Sequence, residues 1–224
     1  MQASPGYPRD FFNRLIGSTA AGAHALRRQS GVPNRETEGI IEFDSDGSTQ
    51  WFIDKTPLSS REWTSGHSTT TDLGGPTLIN TGRVRTNPSA ELTNKADLFT
   101  AALHEIGHAL GVDANNFAYA AETFTAPNDD NHVDITFPAQ FAGAGIRMSN
   151  SVVPDAHFHS GTFPDALMRA TMGPGIRRFP SEADILAIAQ VSQFTQLNLA
   201  PIVPEPGTGA LLLGLAGLLM RRRG

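Results

Sequence analysis

The stretch His104-Glu105-Ile106-Gly107-His108 constrains this chain more than any other. On a helix, histidines four residues apart stand one turn above each other on a single face, where both imidazoles reach one point in space. The surrounding residues read as such a helix. Phe99, Leu103, Ile106 and Leu110 form an apolar stripe at helical spacing, and Asn94 and Asp97 occupy capping-box positions. Gly111 offers the left-handed backbone that ends a helix, so the helix is expected over residues 95–110. Two neutral imidazoles suit zinc, and Glu105 beside them is placed to accept a proton from a metal-activated water. The chain contains no cysteine, which excludes disulfides, thiolate metal sites and a Cys nucleophile and leaves metal chemistry to His and carboxylates.

With 224 residues the chain suits one ordinary domain plus extensions. Its net charge is −5 and its basic residues are scattered, so it lacks the positive face that phosphates require and no nucleic-acid partner is expected. Residues 39–43 and 50–53 read as two strands joined by the polar turn 44–48, and residues 77–80 and 83–86 as a strand pair broken at Gly82. Residues 18–28 read as a modest surface helix. A second confident helix opens at Ser181, with Asp184 three residues on, buries Ile185 and Ile188, and ends near Phe194. Strands first and helices later indicate an α+β domain.

His104 to His108, with Gly111 three residues on, resembles the metzincins, whose longer pattern is H-E-x-x-H-x-x-G-x-x-H followed by a methionine turn. Position 114 is Ala, and Asp113 stands one residue too early to replace the missing third ligand. Downstream, Asp155-Ala-His157-Phe158-His159, followed by Leu167-Met168, is similar to the third-ligand and methionine-turn region of leishmanolysin-like metzincins, which insert a long segment after the glycine. The resemblance implies one Zn²⁺ held by His104, His108 and His157, with Glu105 as general base, Phe158 as the aromatic and Met168 as the turn methionine. His157 would then lie 46 positions beyond Gly111. His159-Ser160 also resembles the His-Ser of a matrixin, so His159 stands as the alternative third ligand. Residues 175–184 look matrixin-like too.

The fold implied is a metzincin-like zincin domain over residues 39–200, with a mixed sheet, an active-site helix, an insertion at 112–156 and a C-terminal helix, after an N-terminal extension at 1–38. The implied activity is zinc-dependent endopeptidase, with the protein or peptide substrate docked as an added strand along a sheet edge, expected at residues 77–86. Metzincins often carry a Tyr near the methionine turn, but here Arg169 follows Met168 and no Tyr comes after it. The alternative is a catalytically inactive surface or biofilm-matrix binding protein on the same scaffold.

The remaining histidines carry less. His24 and His67 read as solvated. His132, within residues 128–134, reads as part of a solvated acidic loop and only second as part of a Ca²⁺ site; residues 44–47 read first as a turn and second as a Ca²⁺ loop. Residues 201–224 differ in kind: a Pro204-Glu205-Pro206 box, an apolar run of 14 residues from Gly207 to Met220, then Arg221, Arg222 and Arg223. The run is marginal for a membrane span, and the arginines would stay cytoplasmic while the body is exported. The tail resembles the PEP-CTERM sorting signal of exosortase-bearing Gram-negative bacteria. That implies a short transmembrane helix, transient inner-membrane anchoring, recognition by exosortase-type sorting machinery, and delivery to the cell surface or extracellular matrix. An exported chain should begin with a signal peptide. Residues 1–28 offer only weak apolar content interrupted by Arg9, Asp10 and Arg14, so the natural start is expected to lie elsewhere.

Overall fold

A computed structural model describes residues 23–29, 36–45, 47–57, 59–113, 116–123, 130–149, 156–194 and 196–199. The two-histidine stretch is helical, in α1 (Leu98–Leu110). The helix starts three residues later than its periodicity suggests, because Ala96–Asp97 is instead a short strand and Asp97, not Asn94, is the N-cap. The Asp97 carboxylate accepts from the Thr100 amide at 3.1 Å and the Thr100 hydroxyl at 2.7 Å, satisfying one of the helix's open donors. At the other end Gly111 has φ 137°, a conformation closed to a side chain, and a Cβ there would press on Ser192 Oγ at 2.6 Å.

The expected apolar stripe of α1 is not its buried face. Ile106 and Leu110 are 40 % and 41 % exposed, whereas Ala101, His104, Glu105, Gly107 and His108 are buried. The helix turns its histidine face inward, toward the loop that carries Met168.

The strands number nine among the described residues. β1 (Ala23–Gln29) pairs antiparallel with β2 (Glu36–Phe43), with Leu26 opposite Ile40. The helix expected at residues 18–28 is therefore a strand where it is described, from Ala23 onward. Its backbone groups are satisfied across the ladder, and this outweighs the local helix preference of an Ala-rich stretch. β3 (Trp51–Phe52) does not pair with β2 as the turn between them suggested; it runs parallel to β6 (Ala96–Asp97). The intervening turn is closed by Asp44, whose carboxylate accepts from Ser48 Oγ and the Thr49 amide.

Residues 77–80 and 83–86 are not a strand pair. β5 (Ile79–Pro88) runs unbroken through Gly82, between β4 (Trp63–Thr71) and β9 (Arg177–Phe179), antiparallel to both. Gly82 is accommodated within the strand because a Cβ there would collide with Asp165 and with Thr69 Oγ1. β5 is thus the centre of this described sheet, and β4, which sequence reading missed, is an edge. β4 is Ser- and Thr-rich and mostly exposed, so it carries little hydrophobic alternation to read.

Within the expected insertion, α2 (Phe117–Thr123) precedes an antiparallel pair, β7 (His132–Asp134) and β8 (Gly145–Arg147). The C-terminal helix α3 (Glu182–Ser192) begins as expected, with Ser181 and Asp184 forming a reciprocal capping box. Its fully buried residues include Ala183, Leu186, Ala187 and Val191, while Ile185 and Ile188 are half-buried. Tyr119, Ile135, Ile146, Phe158 and Met168 join α3 in one core, so insertion, methionine loop and C-terminal helix share a single hydrophobic body. Among the described residues no helix is long and apolar enough to cross a membrane. The expected sorting segment, residues 201–224, lies outside them.

Candidate metal centre

His104 and His108 project from α1 into the core, 1 % and 0 % exposed. Their rings meet edge to face with centroids 4.7 Å apart. Each ring is held by a main-chain carbonyl: His104 Nδ1 donates to Leu167 O at 2.8 Å and His108 Nδ1 donates to Val112 O at 2.7 Å. The second bond depends on the glycine turn, since Gly111 bends the chain so that Val112 folds back under the last turn of α1. With both Nδ1 atoms donating, both Nε2 atoms carry lone pairs, and these two atoms lie 3.1 Å apart.

The third imidazole is that of His157. Its ring stacks on His104 at 5.3 Å and meets His108 edge-on at 4.9 Å. One ligand atom from each of the three histidines falls within 4.8 Å of the others, and all three residues are buried. The segment that carries His157 is clamped on both sides. The Ser149 amide donates to His157 O at 2.9 Å, the His159 amide to Arg147 O at 3.1 Å, and the Phe158 amide to Met168 O at 2.8 Å. His159 lies outside the cluster; its half-buried ring accepts at Nδ1 from the Thr162 amide at 3.2 Å and from the Thr162 hydroxyl at 2.9 Å.

Glu105 is fully buried. Met168 lies directly under the histidine helix, where a Cβ added to Gly107 would collide with its Sδ. Its loop is anchored by Asp184, whose carboxylate accepts from the Leu167 amide at 3.3 Å and the Met168 amide at 3.0 Å, as well as from the Ser181 amide and hydroxyl. A chain of polar contacts therefore runs from the cap of α3 through the backbone of Leu167 to the ring of His104. Sequence reading found Ser181 and Asp184 only as a capping box. The second duty of Asp184, and the roles of Leu167 and Val112, had no signal because two of the three act through their main chain.

The buried setting favours the neutral form of His104. Burial is the largest reason that His104 is lowered to about pKa 4; the charges of His157 and Arg178 add to it and outweigh the opposing Leu167 hydrogen bond. Three buried imidazoles, each offering one ligand atom, are a donor set that can bind a metal ion, and they fit zinc, which takes imidazole readily and needs three protein ligands in a catalytic site.

The sequence profile of the matrixin family matches residues 15–136, more than half of the chain. The chain belongs to the matrixin family. The mixed α and β architecture, with its histidine helix, agrees with a matrixin zincin fold. The matched residues contain His104, Glu105 and His108 and end before His157 and Met168, which in this matrixin join the first two histidines by geometry alone. Among curated proteins and among solved structures no match to this chain is found.

Of the other histidines, His67 is half-exposed and bonded through Nε2 to Asp165 at 3.0 Å rather than simply solvated. His132 donates from Nδ1 to Asp130 O at 2.9 Å. His24 lies in β1, and residues 128 and 129 of the acidic loop lie outside the described residues.

Proposed function

We propose that this matrixin is a zinc-dependent endopeptidase in which His104, His108 and His157 hold the metal and Glu105 is the general base. The observation that carries the reading is the convergence of three buried imidazoles, two of them oriented by main-chain carbonyls at Nδ1 so that their Nε2 atoms turn toward each other. Zinc bound there supplies Lewis acidity for attack of water on a peptide carbonyl. Glu105 takes the proton of the attacking water at its carboxylate and returns it to the leaving amine. Met168 and the Leu167 carbonyl keep the imidazoles in place beneath the reacting groups.

The substrate docks extended along β4, an edge of the described β4-β5-β9 sheet, and adds a strand to it. The edge expected at residues 77–86 is enclosed by its neighbours, and this role passes to residues 63–71. The tail at 203–224 supports export, exosortase-type sorting through a transient membrane anchor, and delivery to the surface or matrix of a Gram-negative cell. No described group favours a Ca²⁺ site.

The test is metal content by elemental analysis of the full chain, His157→Ala and His159→Ala, together with cleavage of a mixed peptide library. One zinc per chain, lost in His157→Ala and kept in His159→Ala, with cleavage that follows the metal, is the expected result. Stoichiometric zinc without cleavage would leave a binding protein on this scaffold. Absence of zinc after refolding with the metal would overturn the reading.

A further inference from the structure

Two successive arginines on β9 are both buried and meet opposite environments. Arg177 is paired by two aspartates, with Nη2 on Asp97 Oδ1 and Nη1 on Asp54 Oδ2, each at 2.7 Å. Arg178, on the other face of the strand and 3 % exposed, has no such partner among the described residues. Its Nη1 donates to Thr171 O at 3.1 Å, and its Nε is buried without a hydrogen-bond acceptor among the described residues. Arg169, half-buried and next to Met168, is similar: Nη1 donates to Pro164 O at 3.0 Å and Nε is buried without an acceptor among the described residues. Neither arginine forms an ion pair with a described carboxylate.

Both arginines border the histidine centre: Arg169 is bridged to Phe158, the neighbour of His157, and the Arg178 amide donates at 2.9 Å to Thr100 Oγ1, one turn before His104 on α1, while its guanidinium reaches Thr171, two residues beyond Arg169. Asp165 and Asp184 moderate the charge of Arg178, but both are engaged. Asp165 is bonded to His67, and Asp184 holds the methionine loop and the cap of α3. Burying a cation without a counter-ion is costly, and the cost is relieved when a ligand supplies the anion. A planar carboxylate is the group that a guanidinium N–H pair fits best, and a peptide can bring one in two ways, through an acidic side chain or a free C-terminus.

We propose that Arg169 and Arg178 form a carboxylate-binding subsite beside the three-histidine centre, and that it selects peptides bringing a carboxylate to that side of the scissile bond. The substrate half of this inference rests on the peptidase reading; binding of the carboxylate does not.

Two measurements on the zinc-loaded full chain separate these. The first compares kcat/KM for matched peptides with Glu or Gln at each position, each with a free or an amidated C-terminus. One carboxylate arm is expected to be about 10-fold better or more, and which arm it is identifies the source. That ratio should collapse toward unity in Arg169→Gln and be partly retained in Arg178→Lys, a variant that keeps the buried charge if Arg178→Gln fails to fold. The second follows the Nε–Hε NMR signal of Arg178, assigned by its loss in Arg178→Lys, during titration with N-acetylglutamate N-methylamide and with the glutamine analogue. A shift with the glutamate compound alone is expected. Equal cleavage of carboxylate and neutral peptides overturns the proposal, as does an unmoved signal in a chain that cleaves none. A shifted signal in a chain without peptidase activity leaves the subsite standing and removes the peptidase reading.

Discussion

Replacing Glu105 by Gln preserves its size in a fully buried position and removes only its ability to hold a proton. Zinc content should be unchanged while kcat falls about 100-fold or more, the usual scale of a lost general base. Metal loss in Glu105→Gln would instead make the residue part of the cage. His104, Glu105 and His108 were legible in the sequence because their geometry is local: one turn of helix fixes it. The preference for His157 over His159 rested on the family resemblance and not on local geometry, since residues two apart in an extended segment start from equivalent positions; the cluster contains His157. Here Thr162 binds one ring, and the clamp by Ser149 and Met168 turns the other to α1.

At the level of elements, Gly107 is where helix and methionine loop touch. Gly107→Ala places a methyl on Met168 Sδ inside a packed core, so a loss of about 1–3 kcal/mol is expected in urea melts, with weakened metal binding as the loop is displaced. The N-terminus of α1 is tied to β9 by Arg177, which is fully buried, joined to Asp97 and Asp54, and stacked 4.2 Å over Trp63. Truncation in Arg177→Ala leaves two carboxylates facing an emptied site and should cost about 3–5 kcal/mol.

The same network gives a pH signature. Burial raises the Asp54 carboxyl, but the Thr56 amide and the Arg177 guanidinium more than offset it, and the net position is below the ordinary value of 3.8. A carboxyl depressed on folding adds stability that is complete above the unfolded pKa and is lost as pH falls through the folded one. Asp54→Asn should therefore flatten the acid side of the stability profile below about pH 4 while leaving its slope near neutrality unchanged. The capping box of α3 was readable from Ser181 and Asp184, and the C-terminus of α1 from Gly111. The pairing of β1, β3 and β4 was not, because partners distant in sequence decide which short polar stretch becomes a strand.

For the whole molecule, the three histidines tie α1, the end of the insertion and, through Leu167, the methionine loop to one point. A metal there stabilises all of them together, so chelation should lower Tm by about 10 °C for zinc held at 1,000 times its dissociation constant. Amide exchange should rise first at residues 147–149 and 157–159, whose main-chain bonds hold the third histidine. Uniform exchange across the chain on chelation would mean that the site is coupled to global unfolding alone. The α+β class was visible in the order of strand and helix signals. The unity of the core was not, since it depends on Tyr119, Ile146 and Phe158 meeting α3 across long separations.

The inserted segment closes on itself before it reaches the site. β7 pairs with β8, the Met148 amide returns to Asn131 O at 2.7 Å, and only then does Met148 lie against Phe158. The ring of His157 is thus presented by the rim of a closed loop. Between α2 and β7 the chain leaves and returns at one place, the Asn131 amide donating to Thr123 O at 3.1 Å, so its length there can change at small entropic cost without moving His157. A chain built this way can vary that stretch, generation after generation, with the histidine cluster held constant.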